Sequence, residues 1–248
     1  MLIERVSFLI VLLLYLHIIV LVMKKLLSNI KIEIPEGIYL KDPESSTLGK
    51  KIIEHSITLL EEIGFEDFTF KKLGKNIGSN ESSIYRYFES KHKLLMYLTA
   101  WYWGWIEYQL VIETYSISNT KEKLKKAIEV VTKTTEQDNK YSHINEELLY
   151  TIIINENSKA YYTKGVDQDN KEGFFMPYKR TVQRIAEIIA AYNPNYNYAL
   201  SFASSLVEGA LHQHFLKLHF KSITNCNSKI TPTDFYTDLT FKTLTNAK

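Results

Sequence analysis

Cysteine is nearly absent. Cys226 is the single one in 248 residues, which excludes an internal disulfide framework and fits a reducing compartment. It sits in the polar stretch TNCNSK and reads as an exposed, inert thiol. Glycine (9) and proline (5) are scarce, and hairpin signals are few, so a sandwich or barrel of short strands is excluded. A Gly-rich phosphate loop, a nucleophile elbow and a Cys-x-x-Cys pair are all missing. There is no internal repeat. An excess of one charge is missing too. Thirty Lys and Arg face 28 Asp and Glu, a net charge of +2, so the chain has no general basic coat. Any positive charge that matters must be focused in one place.

What is present is apolar periodicity. Hydrophobic residues make up 45% of the chain, and long segments repeat at helical spacing, so the expected fold is all-α. Residues 31–47 form a polar lead-in containing Pro and Gly. Leu48, Ile52, Ile53, Ile57, Leu60 and Ile63 stripe a first helix that Gly64 stops. Lys91 opens a long helix to about Tyr115. Asn119 or Thr120 opens another to about Asn139, and one more runs near Ile144–Asn155. The stretch 156–170 (ENSKAYYTKGVDQDN) reads as a loop. Helical pattern resumes over Glu172–Tyr192 and Tyr196–Phe220. Thr231 caps a last helix, with Pro232 at its first position and Asp234 in its first turn.

Between the first and the long helix, Thr69 to Leu94 reads TFKKLGKNIGSNESSIYRYFESKHKL. Thr69 is a good N-cap, Gly78 a left-handed stop and Asn80 a strong N-cap for the next helix. Leu73 and Ile77 share one face, and Ile84 and Phe88 share another that packs back onto it. Gly74 is kept where a side chain would block a close neighbour. With those faces buried, Ser82, Ser83, Arg86 and Tyr87 point outward. Six basic residues (Lys71, Lys72, Lys75, Arg86, Lys91, Lys93) stand here against Glu81 and Glu89, a local excess suited to phosphate. Two apolar stripes joined by a tight turn give a helix-turn-helix, whose second helix can enter a major groove.

The segment resembles the TetR family of bacterial transcriptional regulators. Thr69, Leu73-Gly74, Gly78, Asn80, Ile84-Tyr85-Arg86-Tyr87-Phe88 and Ser90-Lys91 fall on the family pattern without a gap. Two positions depart from it: Ser82 replaces a small Gly and Ser79 an aliphatic residue of the turn. Neither threatens the fold, and both leave the base sequence open. By position, the resemblance implies Ser82, Ser83 and Arg86 at base edges and Thr69, Tyr85, Tyr87 and Lys91 at phosphates. Lys71 reaches either. An Arg fork on guanine is worth about 1–3 kcal/mol of discrimination.

The resemblance further implies three parts: a lead-in (1–45), a three-helix DNA-binding head (46–92), and a helical body for effector binding and dimerisation (93–248). The partners implied are a double-stranded operator and a second copy of the chain. Pairing is expected through 196–220 and 231–245, where Ala199, Phe202, Ala203, Leu206 and Ala210 suit close helix packing. The alternative for that stripe is an intramolecular core. The third partner implied is a small apolar or amphipathic effector. Aromatic residues crowd the body, and Trp101, Trp105, Tyr108, Tyr150, Phe175, Tyr178 and Phe202 are the ligand-contact candidates, with plain core as the alternative. No cofactor is expected. Glu208 and His212, with His214 and His219 nearby, have metal-ligand spacing, but no second segment completes a site. No catalytic constellation is present, so the expected protein is not an enzyme.

Val6 to Val22 is nearly all apolar, interrupted by Ser7 and His17. At about 1.5 Å per residue it spans about 25 Å, just short of a bilayer core. Three readings compete: a membrane anchor that leaves the body in the cytoplasm, a helix buried in protein, or sequence upstream of a true start at Met23. The rival function is therefore a membrane-tethered or protein-interaction adaptor, against a cytoplasmic regulator released or modulated by its ligand.

Overall fold

A computed structural model of the protein describes residues 32–135 and 143–246. The apolar run 6–22 and Met23 lie outside the described residues. Among the described residues there is no strand, and no helix is long and apolar enough to cross a membrane. Ten α-helices follow one another: α1 (Thr47–Asp67), α2 (Phe70–Ile77), α3 (Glu81–Tyr85), α4 (Lys91–Thr114), α5 (Thr120–Thr132), α6 (Glu146–Tyr161), α7 (Val166–Lys171), α8 (Met176–Tyr192), α9 (Ala199–His219) and α10 (Pro232–Asn246).

The helices begin where their caps dictate. Ser46, Thr69, Asn80, Ser90, Asn119 and Asn145 each accept a backbone N–H of the first turn with a side-chain oxygen. These caps satisfy donors that a helix start leaves free. At α10 the cap is reciprocal. Thr231 Oγ1 accepts from the Asp234 N–H (3.1 Å), and the Asp234 carboxylate accepts from the Thr231 N–H (2.8 Å).

From Leu94 to Glu107 every residue of α4 is buried. Such a helix must be surrounded, and α5, α6 and α8 pack around it. Helix α9 lies across α8, α6 and α5, while α10 rests on α5 and α9. The head is carried on the same scaffold, because α1 packs on α6 and Ser90 caps α4 directly behind α3. The lead-in is fastened to the head: the Leu40 N–H donates to the Tyr87 carbonyl (2.8 Å), and Ile38 is buried.

Several boundaries differ from the sequence reading, each for a local reason. The stretch 156–170 is not a loop. Helix α6 continues to Tyr161 because Glu156 and Ala160 face the core, and its polar residues are a solvated face. Helix α5 ends at Thr132, since Lys133 is already extended (ψ 155). Gly173 (φ 82) delays the next helix to Met176. Helix α1 does break at Gly64, as its sequence predicts, because the backbone there is non-helical (φ 72, ψ 167), and only a short second piece runs on to Asp67. Cys226 is buried, not exposed. Ala203, Leu206 and Ala210 are inside the protomer and serve its own core, while Ala199 and Phe202 of the same stripe are half-buried.

Gly74 is pinned by the turn. A Cβ there would lie 2.8 Å from the Ser79 carbonyl oxygen and 3.3 Å from the Glu81 nitrogen. The close neighbour is the turn that follows, rather than a separate helix. Gly74→Ala is expected to lower stability by about 1–3 kcal/mol through this overpacking. Gly78→Ala meets open space but holds a left-handed φ of 68, and should cost only about 1 kcal/mol. Urea midpoints of the two variants check the order.

Candidate nucleic-acid interface

The turn between α2 and α3 is fixed by two glycines and one asparagine. The left-handed Gly78 ends α2, and the Ser79 N–H returns to the Gly74 carbonyl (2.8 Å). Asn80 Oδ1 then accepts the Ser83 N–H (2.9 Å) and the hydroxyls of Ser82 (2.7 Å) and Ser83 (2.8 Å). Ile84, fully buried, ties α3 to the head core with Leu73, Phe68 and Phe88. What remains outward on α3 and its C-cap is Glu81, Ser82, Tyr85 and Arg86, with Ser83 half-buried. Tyr85 is 49% exposed, its ring edge-on to Phe70 at 4.9 Å. Lys71 and Lys75 are exposed on α2, and Thr69 is exposed at its cap. This side of the head is basic and carries the residues named for base edges.

Two residues expected at phosphates are committed elsewhere. Tyr87 is 3% exposed, beyond the end of α3, and does not point outward. Its hydroxyl shares a hydrogen bond with Ser46 (2.7 Å), and Lys41 lies over its ring. The Ser46 bond, with Lys41 and Arg86 nearby, holds the phenol below its ordinary pKa. Lys91 donates to the carbonyls of Phe65 (2.8 Å) and Glu66 (2.9 Å) and lies over the Phe65 ring. It closes the C-terminal end of α1, where a cation complements the helix dipole.

The same end of α1 is gripped from the body. Glu156 on α6 accepts the Phe65 N–H (3.0 Å) just past the Gly64 bend, and Lys159 bridges Glu156 (2.7 Å) and Glu66 (3.1 Å). A second link runs through Lys93 in the first turn of α4. Its ammonium lies 3.6 Å from Asp169 and 3.9 Å from the Phe174 ring centroid. Sequence reasoning missed both links, since nothing local marks residues so far apart as partners.

The ligand-contact candidates are only partly assembled. Trp101 and Trp105 stack on each other, and Tyr150 lies near Tyr102 and edge-on to His214, all within the core. Tyr178 meets Trp103 (5.2 Å) and Tyr161 (5.5 Å), and Phe175 meets Tyr161 (5.1 Å). Phe202 packs on Tyr196 instead (6.0 Å), and Tyr108 is half-buried. An open cleft lies elsewhere, with a volume of about 330 Å³ and a floor of Leu110, Val111 and Ile188 under Lys123 and Arg184. At the α4–α8 seam, the buried Glu107 receives Arg180 and Arg184, each at 2.8 Å. Among the described residues no group of three or more His, Cys, Asp or Glu could hold a metal. His214 points its Nε2 at the Thr132 carbonyl (2.8 Å), which can only accept, so Nε2 carries the proton.

Lys91→Ala is expected to lower the melting temperature, because it uncaps α1, while leaving the salt slope of DNA binding unchanged. Glu156→Ala should cost about 1–3 kcal/mol by stranding the Phe65 N–H. Thermal melts and salt titrations of the two variants distinguish these roles.

Residues 52–98 match the model of the bacterial regulatory proteins of the tetR family. No curated protein sequence matches the chain. Among solved structures, the chain is similar to a putative transcriptional regulator from Saccharomonospora viridis in complex with choline. That pair has a TM-score of 0.55 and 15% identity, covering 81% of this chain and 97% of the other. It is similar to the fatty acid degradation regulator FadR from Bacillus halodurans, with a TM-score of 0.51 and 12% identity, covering 80% and 98%. The superantigen PfiT is as similar in fold, with a TM-score of 0.55 and 14% identity, covering 82% and 97%. At such identities the structures speak for the fold alone, and the head decides the class. Its matched segment and its helix-turn-helix give residues 52–98 the DNA-binding head of the TetR family of transcriptional regulators.

Proposed function

We propose that the protein is a homodimeric repressor that binds a short palindromic operator and is released by a small ligand in its body. Residues 46–92 read the DNA, and 93–248 bind effector and pair the subunits. The observation that carries this reading is the outward set on α3. Ser82 and Arg86 stand clear of the core, with Ser83 half-buried beside them and Lys71 and Lys75 near on α2. Base contacts specify and phosphate contacts position, and the exposed set supplies both kinds. With Tyr87 and Lys91 committed elsewhere, Thr69, Lys71, Lys75 and Tyr85 are the phosphate group we favour.

A dimer follows from the need to place two recognition helices about one DNA turn apart. Its support is an apolar surface that the protomer leaves bare. Leu200 and Leu218 of α9, Phe235 and Leu239 of α10, and Ile223 and Phe220 between them are exposed. Release requires an effector that binds better to one head spacing than to the other. The links from α6 and α4 to the end of α1 supply a route for that difference. A neighbour of similar fold is a complex with choline, which supports a small-molecule site in the body.

Fluorescence anisotropy with DNA from the region upstream of its own coding sequence, with competitor DNA and a salt series, tests the reading. Binding that resists competitor at two protomers per site is expected; weak binding indifferent to sequence would remove it. Arg86→Ala should relax base preference at one position of each half-site by about 1–3 kcal/mol, read by selection from a random pool. Lys75→Ala should weaken all sequences alike and reduce the salt slope by about one per contact.

A further inference from the structure

We propose that the body holds a small organic cation, such as a quaternary ammonium, between the Glu208 carboxylate and the rings of Trp103, Tyr161 and Tyr178. It rests on the reading of the body as an effector domain, and it names the effector's chemistry. Four helices bring these residues together: Trp103 from the middle of α4, Tyr161 from the end of α6, Tyr178 from the first turn of α8 and Glu208 from α9. The Tyr178 ring centroid lies 5.2 Å from that of Trp103 and 5.5 Å from that of Tyr161.

Glu208 is half-buried beside the Tyr178 hydroxyl, and burial raises its pKa. Of the body's more deeply buried acids, Glu107 is neutralised by Arg180 and Arg184 and Glu156 by Lys159, while Glu146 is buried away from Glu208 at the start of α6. Among the described residues no cationic side chain forms an ion pair with Glu208. A carboxylate kept from water without a counterion is costly, and a neutral apolar ligand would strand it further. An anion would be repelled. Aromatic faces carry the negative end of the ring quadrupole, so the rings and the acid favour the same occupant, a weakly hydrated cation.

Trp103, Tyr161 and Tyr178 now close on a void of about 10 Å³ that Glu208 does not line, room for a single water. A ligand must therefore part them. Tyr178 is half-exposed, and Phe174 and Phe175, which line the same void, follow Gly173 (φ 82) after a short helix with no buried residue. Phe174 also touches the head side. Its ring lies under the Lys93 ammonium (3.9 Å), and a Cβ on Gly37 would sit 3.1 Å from it. Displacing the rings thus moves a side chain that already leans on the first turn of α4 and on the lead-in.

The test is calorimetric titration of the full chain with choline and benzyltrimethylammonium, against neohexanol, the uncharged isostere of choline. Saturable binding of a cation, with neohexanol weaker by roughly tenfold or more, is expected. Glu208→Gln and Tyr178→Leu should each weaken the cation by roughly tenfold while the far-UV circular dichroism stays unchanged. Equal binding of neohexanol, no binding of either cation, or unchanged affinity in Glu208→Gln would each overturn the proposal. So would a Glu208→Gln variant that loosens the dimer without altering any ligand affinity, since the counterion would then come from the partner subunit. If either variant fails to fold, the comparison of choline with neohexanol on the parent chain still decides. Operator binding by the unliganded protein is measured separately. Specific DNA binding without cation binding removes this inference alone, and loss of DNA binding removes the regulator reading beneath it.

Discussion

Burying fourteen consecutive residues leaves α4 with no face for solvent, and much of the architecture follows from that constraint. A two-layer packing would leave one side wet, so α5, α6 and α8 must enclose it and α9 must cover their seams. The side chains that make this worthwhile are large. Trp101, Trp103 and Trp105 are each almost wholly removed from water, and such aromatic burial dominates a core's energetics. The enclosure has a cost, because the indole nitrogen of Trp105 and the hydroxyl of Tyr150 are buried without a hydrogen-bond partner. Each stranded donor opposes folding by about 1–3 kcal/mol, a moderate loss against the apolar area gained.

The same helix starts inside the head. Ser90 caps it and Lys91 reaches from its first residue to the end of α1. A rigid rod that is core at one end and scaffold for the recognition helix at the other transmits displacement with little loss. The second path is chemically different. Helix α6 grips α1 through a carboxylate on a backbone N–H, with Lys159 neutralising the acid. The end of α1 is thus held by a donor from α4 and by an acceptor and a donor from α6. Relative sliding of α4 and α6 must be taken up at the Gly64 bend, where a positive φ already sets the backbone apart from the helix around it.

The head was legible in the sequence because its determinants are local. Caps, a left-handed glycine and apolar pairs four apart fall within 26 residues, and Thr69, Gly78 and Asn80 do as their chemistry dictates. Even there, the partners of Tyr87 and Lys91 are not legible in the local sequence. Their environments depend on Ser46 and on the carbonyls of Phe65 and Glu66, more than twenty residues away in sequence. The body was legible as helices but not as a site. The polarity of 156–170 looked like a loop because a helix with one buried stripe can be polar on every other side. The small residues of α9 were compatible with either a subunit contact or a core, and only tertiary packing decides between them. The ion group around Glu107 joins residues 73 and 77 positions apart, which no periodicity can announce.

Helix α3 is only five residues long, and the groups that hold it overlap little with the groups it offers outward. Its position depends on the Asn80 cap, the packing of Ile84 and the absence of a side chain at Gly74. Of the outward side chains, Arg86 takes no part in these, whereas the Ser82 hydroxyl also donates to the Asn80 cap (2.7 Å). Recognition and stability are therefore separate at Arg86 and shared at the serines that join the cap. The base preference of such a head can be rewritten at Arg86 without renegotiating the fold. A scaffold organised this way is free to acquire new addresses on DNA without rebuilding the turn that presents them.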